Sequence, residues 1–218
     1  SASDHFGPNK VAVDANSNSF VIGSFTGKVN VGSITLIAKA LVVDSFLAKY
    51  DPNGDLLWVI HLGRSDFGST VCSDVAVDSS GNVAIVGTFT DESTLAEGKI
   101  LESVQGSDNV FVAKYNENGT FIFSKHLGDT EGYDHEGTAI TIDQANRVIA
   151  TGIFSSSTGL ESFSDSEIIP GTPDGDDDTL SMFVMVWEHD GTFVDGFALY
   201  ALGDSIVASI DLCTDENN

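Results

Sequence analysis

Basic side chains are scarce in this 218-residue chain: 9 Lys and Arg stand against 33 Asp and Glu, a formal net charge of -24. After Arg147 there is no Lys or Arg at all, while the last 71 residues carry 14 acids. Nucleic acid and anionic membranes bind positive surface, so neither is expected as a partner. Cysteine is nearly missing too, and Cys72 and Cys213 are too few for a disulfide framework in a chain of this size. No stretch approaches the roughly 20 apolar residues of a membrane helix, so membrane insertion is not expected. The start, Ser1-Ala2-Ser3-Asp4, lacks the basic and apolar regions of a signal peptide, which suits a mature form or an internal piece of an exported protein. No Gly-x-Ser-x-Gly elbow, His-Glu-x-x-His pair or Walker loop occurs, which leaves nucleophilic, zinc and nucleotide chemistry without a foothold.

What the chain has is a repeat. Phe111-Val112-Ala113-Lys114-Tyr115-Asn116-Glu117-Asn118-Gly119-Thr120-Phe121 reads as two strands around an Asn-Gly turn, whose favoured form puts both central residues at positive φ. The same pattern, down to a closing His-Leu-Gly, begins 65 residues earlier at Phe46-Leu47-Ala48-Lys49-Tyr50, and a looser copy begins at Phe183-Val184-Met185-Val186-Trp187. A second hairpin precedes each of these. Val75-Ala76-Val77-Asp78, a turn, then Val83-Ala84-Ile85-Val86-Gly87-Thr88-Phe89 recurs around Asp14 and Asp143, and a fourth start is visible at Ala208-Ser209-Ile210-Asp211. Both alternating sets of residues are apolar in these strands, so both faces of the sheet should be covered.

Four antiparallel strands per unit, with units at about 10–63, 75–128 and 139–203 and a partial fourth at 206–218, are the pattern of an all-β fold of β-propeller-type blades. The stretches 27–44, 91–109 and 156–181 read as variable loops. The motifs Asp-x-x-Gly-Asn-Val, Gly-Thr-Phe and Phe-Val-Ala-Lys-Tyr-x-x-Asn-Gly resemble the seven-bladed-type propeller repeats of secreted and surface proteins of bacteria and archaea. The resemblance spans residues 10–203 and implies a fold and an extracytoplasmic setting, without a shared catalytic activity.

Several residues invite a chemical reading. Asp14, Asp78 and Asp143 stand before the first turn of each unit, where a carboxylate either binds calcium or accepts backbone N–H groups two or three residues on. Asp174, Asp176, Asp177 and Asp178 crowd four acids into five residues and could hold a calcium ion loosely, although Thr179 and Met185 stand where a calcium-binding EF-hand loop needs Gly and Glu. The joining loop 128–137 gathers Tyr133, Asp134, His135 and Glu136 as a candidate ligand rim. His61 and His126 recur with the blade and read as structural. Asn118-Gly119-Thr120 is an acceptor sequon for N-glycosylation at a hairpin tip.

The sequence therefore predicts a non-enzymatic extracellular or cell-surface module that binds a protein partner or identical chains. The alternatives are a glycan- or ligand-binding propeller, with exposed aromatic rings in its pocket, and a calcium-dependent hydrolase. Three units do not make a ring, so the chain is expected to be part of a longer polypeptide or to oligomerise, even into a filament, with residues 207–212 as a bare strand. Cys72 and Cys213 are expected on opposite faces and unbonded.

Overall fold

The computed structural model describes residues 6–39, 41–155, 159–163, 168–171, 180–200 and 211–213. Every regular element among them is a strand. The first unit holds β1 (Phe6–Val13), β2 (Ser19–Phe25), β3 (Lys28–Val31), β4 (Ile34–Ile37), β5 (Asp44–Tyr50) and β6 (Leu56–Leu62). The second holds β7 (Thr70–Val77), β8 (Val83–Thr90), β9 (Glu92–Ala96), β10 (Lys99–Glu102), β11 (Asp108–Tyr115) and β12 (Phe121–Gly128). The third holds β13 (His135–Ile142), β14 (Val148–Phe154), β15 (Gly159–Ser162), β16 (Ile168–Pro170), β17 (Ser181–Trp187) and β18 (Phe193–Leu199). Each unit is built on one antiparallel sheet: β1-β2-β5-β6, β7-β8-β11-β12 and β13-β14-β17-β18.

The first strand of each sheet starts four or five residues before the positions 10, 75 and 139 that apolar alternation suggests. A bulge explains the difference. The register slips between Pro8 and Lys10, between Cys72 and Asp74, and between Gly137 and Ala139, so the pattern breaks while the pairing continues. Opposite each bulge lies a glycine of the second strand, and the phenyl ring of the third strand covers it. A Cβ on Gly87 would lie 2.1 Å from the Val71 carbonyl oxygen and 2.7 Å from the Phe111 ring. Gly23 meets Phe46, and Gly152 meets Phe183, in the same way.

The turn at Asn118-Gly119 departs from the expected form. Only Gly119 has a positive φ, of 79°, and Asn118 does not. Asn116 N donates to Thr120 O, Gly119 N donates to Asn116 O, and a bulge pairs Tyr115 with Phe121. The cause is the Asn116 side chain, whose Oδ1 accepts from Asn118 N and Thr120 N and so holds a five-residue turn with one left-handed position. The first hairpins use the same device. Asp78 Oδ1 accepts from Ser80 N and Asn82 N at 2.9 Å each, with Gly81 left-handed, and Asp14 does the same for Asn16 and Asn18.

The three stretches read as loops each carry an extra hairpin: β3–β4, β9–β10 and β15–β16. Their sequences differ between units, which hides them from a search for repeats, yet Val29, Val31, Leu36, Leu95, Leu160 and Ile169 are all buried. The second and third of these hairpins reach back to the preceding unit. β15 pairs with β12 through Leu127↔Ser162 and Gly128↔Glu161, and Thr94 of β9 bridges to Gly63 beside β6.

Between the first two units, Phe20, Ile22, Leu47 and Leu62 pack against Val75, Ile85, Phe111 and Ala113. Between the second and third, Ala84, Val86, Val112 and Leu127 pack against Ile140, Ala150, Phe183 and Met185. Fully burying one such Leu or Phe stabilises by about 1.5–3 kcal/mol, so the stacked interfaces are the core. Cys72 lies inside it, burial pushing its thiol up to about 12 despite a hydrogen bond with Ser45. Cys213 is exposed, and both thiols are unbonded. The expected strand at 207–212 lies mostly outside the described residues, and Asp211, Leu212 and Cys213 are not in a strand.

Candidate functional site

At the end where the first strands start, the second and third units leave a cavity of about 530 Å³ between them. Val71 and Ser73 of β7, Thr88 and Thr90 of β8, and Ile153 of β14 form its walls. Its charged groups are Asp108 at the start of β11, Asp134 just before β13, and Glu136. No Lys or Arg is among the lining residues, and none of them is Phe, Tyr or Trp.

Two of the carboxylates, Asp108 and Asp134, are held in place by hydrogen bonds. Thr90 Oγ1 donates to Asp108 Oδ1 in a short hydrogen bond. Asp108 N donates to Asp134 Oδ1 at 2.9 Å, and Ser155 Oγ donates to the Asp134 carbonyl at 3.2 Å. The Asp108–Asp134 bond ties the second unit to the third at the mouth. Asp134 and Glu136 are exposed and Asp108 is half-buried, so all three can meet a ligand from solvent.

The joining loop does not act as one cluster. Asp134 and Glu136 reach the cavity, whereas Tyr133 is not among its lining residues. His135 belongs to the wall, but its ring is buried, with Nε2 2.8 Å from Asp129 Oδ2. Asp129 Oδ1 in turn accepts from Glu131 N, Gly132 N and Tyr133 N and folds the loop. Burial pushes the Asp129 carboxyl up, but the His135 side chain and these amides outweigh it and hold the group below its ordinary value. A carboxylate–imidazole pair is half of a nucleophile-activating triad. Here the second nitrogen, Nδ1, is buried with no hydrogen-bond partner among the described residues, so none of them places a hydroxyl or thiol at it.

The repeated histidines close the blades. His61 Nε2 lies 2.6 Å from Asp44 Oδ2, and His126 Nε2 lies 2.8 Å from the Asn109 side-chain nitrogen. His126 also stacks on Phe163 at 4.5 Å. Burial, and then the charge of His135, lower its pKa to about 4, so it is neutral at neutral pH.

The turn aspartates are equally occupied. Lys114 Nζ lies 3.4 Å from Asp78 Oδ2 and Lys49 Nζ 3.9 Å from Asp14 Oδ2, with both ammonium groups almost fully buried. Burial pushes Asp14 up, but Asn18, Asn16 and Lys49 outweigh it and leave its carboxyl below the ordinary value. The lysines also donate onward, Lys49 to Glu117 O and Lys114 to Asn146 O, each in the next unit. Among the described residues, no group of three or more His, Cys, Asp or Glu is arranged to hold a metal ion. Asp174, Asp176, Asp177 and Asp178 lie outside the described residues. Asn118 is exposed at the tip of its turn, and Trp58 Nε1 of the first unit donates to Glu117 O of that same turn.

Sequence reasoning missed Asp108, whose only signal is an acid at the first position of a strand, and the buried lysines, whose signal is a Lys recurring 65 residues apart in an apolar strand.

No protein-family model matches the chain. An uncharacterized WD repeat-containing protein of Acanthamoeba polyphaga mimivirus is 29% identical to it over 167 residues, covering 66% of this chain and 12% of that protein. The chain thus spans a small part of the relative's length. Together with the stacked antiparallel sheets, this likeness points to a repeat fold of β-propeller type.

Proposed function

We propose that the chain is a protein-interaction module of β-propeller type rather than an enzyme, working outside the cell or at its surface as its repeat motifs suggest. The observation that carries this reading is the cavity between the second and third units, with Asp108, Asp134 and Glu136 at its mouth and no Lys or Arg in its wall. Such a site fits the cationic side chain of a basic protein segment. An overall charge of -24 steers that segment to it and slows acidic competitors. The glycan-binding alternative is weaker, because sugar rings stack on aromatic faces and the wall holds no Phe, Tyr or Trp. Calcium at residues 174–178 and a glycan on Asn118 remain expectations; a mass shift lost in Asn118→Gln tests the latter.

A fluorescent peptide of alternating lysine and serine tests the proposal. It is expected to bind the chain with an affinity that falls as salt rises, and to lose at least tenfold in the variant Asp134→Asn/Glu136→Gln. Equal binding by the variant and the parent chain would sink this reading.

A further inference from the structure

At its two ends the repeat exposes part of the surfaces that it buries in its middle; elsewhere on the first unit, Phe46 and Ala48 are covered by the β3–β4 hairpin. Val11, Val75 and Ile140 are equivalent, each standing three residues before the turn aspartate. Val75 is 7% exposed and Ile140 3%, because the preceding unit covers each of them, whereas Val11 is 61% exposed. Val13 beside it is 57% exposed. The opposite face behaves in the same way. Leu62, Leu127 and Leu199 occupy one position on the outer strand, paired with Ser45, Val110 and Met182. Leu62 and Leu127 are fully buried under the following unit, while Leu199 is 49% exposed and Phe197, two residues before it, 51%.

The strand edges repeat the asymmetry. β9 and β15 each reach the outer edge of the preceding sheet, at Gly63 and at β12. Among the described residues, β3 pairs with β4 alone and β18 with β17 alone. β3 is therefore a hairpin edge without an outer strand to reach, and β18 an outer strand without a hairpin.

We propose that the chain docks head-to-tail with a second copy of itself: the face around Val11 and Val13, with the edge of β3, receives the β18 face of the copy, with Phe197 and Leu199. Both halves of the contact are on this one chain, and the two interfaces inside it show how they fit, with apolar side chains interleaved and a hairpin laid on the outer strand. The contact is heterologous, so copies add in one direction, into a ring or an open stack. It is separate from the acidic cavity, which lies between the second and third units.

Sedimentation velocity of the 218-residue chain tests it. The mean mass is expected to rise with concentration, and to rise further with salt, which screens the repulsion between copies of charge -24. V11E spoils only the receiving face and F197E only the donating face, so each variant alone is expected to stay monomeric. Their mixture still offers one intact face of each kind and is expected to form a one-to-one dimer and nothing larger. Both positions are exposed, so an unchanged thermal unfolding curve certifies the fold, and V13E with L199E repeats the test at neighbouring sites. A parent chain that is monomeric at every concentration, or a mixture of variants that stays monomeric while the parent associates, would overturn the proposal.

Discussion

The second and third units solve one electrostatic problem in two ways. In the second, Asp78 is balanced by Lys114 from the third strand of its sheet, and both side chains are almost fully buried. In the third, Val186 stands where that lysine would be, and Arg147, from the turn itself, pairs with Asp143 at 2.6 Å with its side chain 33% exposed. The turn aspartate needs a cation because its oxygens are buried. The lysine has a further task, since its ammonium also donates to Asn146 O of the following unit. In the third unit the cation is held within its own turn. In the first two units the counter-ion is part of the contact with the unit that follows.

Replacing each cation sharpens this contrast most. Lys114→Met strands the Asp78 carboxylate in the core and is expected to cost about 3–5 kcal/mol, the range for breaking a buried pair from one side. Arg147→Gln, whose partner keeps the amide of residue 147 as a donor at 2.8 Å, is expected to cost about 1 kcal/mol. Urea unfolding measures both, and equal losses would break the comparison.

The glycines differ with their place in the sheet rather than with the unit, since Gly152 of the third is covered as closely as Gly87 of the second. Gly87→Ala drives a methyl into the Val71 carbonyl and the Phe111 ring of the second unit, at an expected cost of about 3 kcal/mol. Gly196→Ala on the outer strand of the third unit meets nothing nearer than 3.4 Å and is expected to change stability by less than about 0.5 kcal/mol. Thermal unfolding of the pair reads the difference.

The third expected effect is in pH. His126 of the second unit has a folded pKa of about 4, below the ordinary 6.5, and Ala198 stands at the equivalent position of the third unit. The unfolded chain binds this proton more readily. The stability it contributes is therefore complete above pH 6.5 and is lost as pH falls from 6.5 towards 4, by about 3 kcal/mol. The lowered carboxyls of Asp14 and Asp129 act in a separate window, below their ordinary 3.8. Stability measured between pH 7 and 4.5 should slope for the parent chain and flatten in His126→Gln; an unchanged slope assigns it to another group.

The sequence by itself determined what is local and repeated. Hairpins, turn carboxylates and both-faced apolar strands follow from backbone hydrogen bonding and alternation, which act over a few residues, so Asp78, Gly119 and Phe111 announce their roles in the one-dimensional pattern. The tertiary structure decided what depends on distant chain segments. Asp108 and Asp134 stand 26 residues apart and meet because β11 and β13 start at the same end of adjacent sheets. Tyr133, one residue from Asp134, is excluded from the cavity because Asp129 folds the loop beneath it. The hairpin β15–β16 differs in sequence from its counterparts, so no repeat declares it, and it becomes a strand pair because β12, in the preceding unit, offers an edge to hydrogen-bond. Whether a valine is core or surface is likewise unwritten in its own neighbourhood: Val11 and Val75 sit in the same motif, and only the presence of a sheet in front of one of them separates exposed from buried.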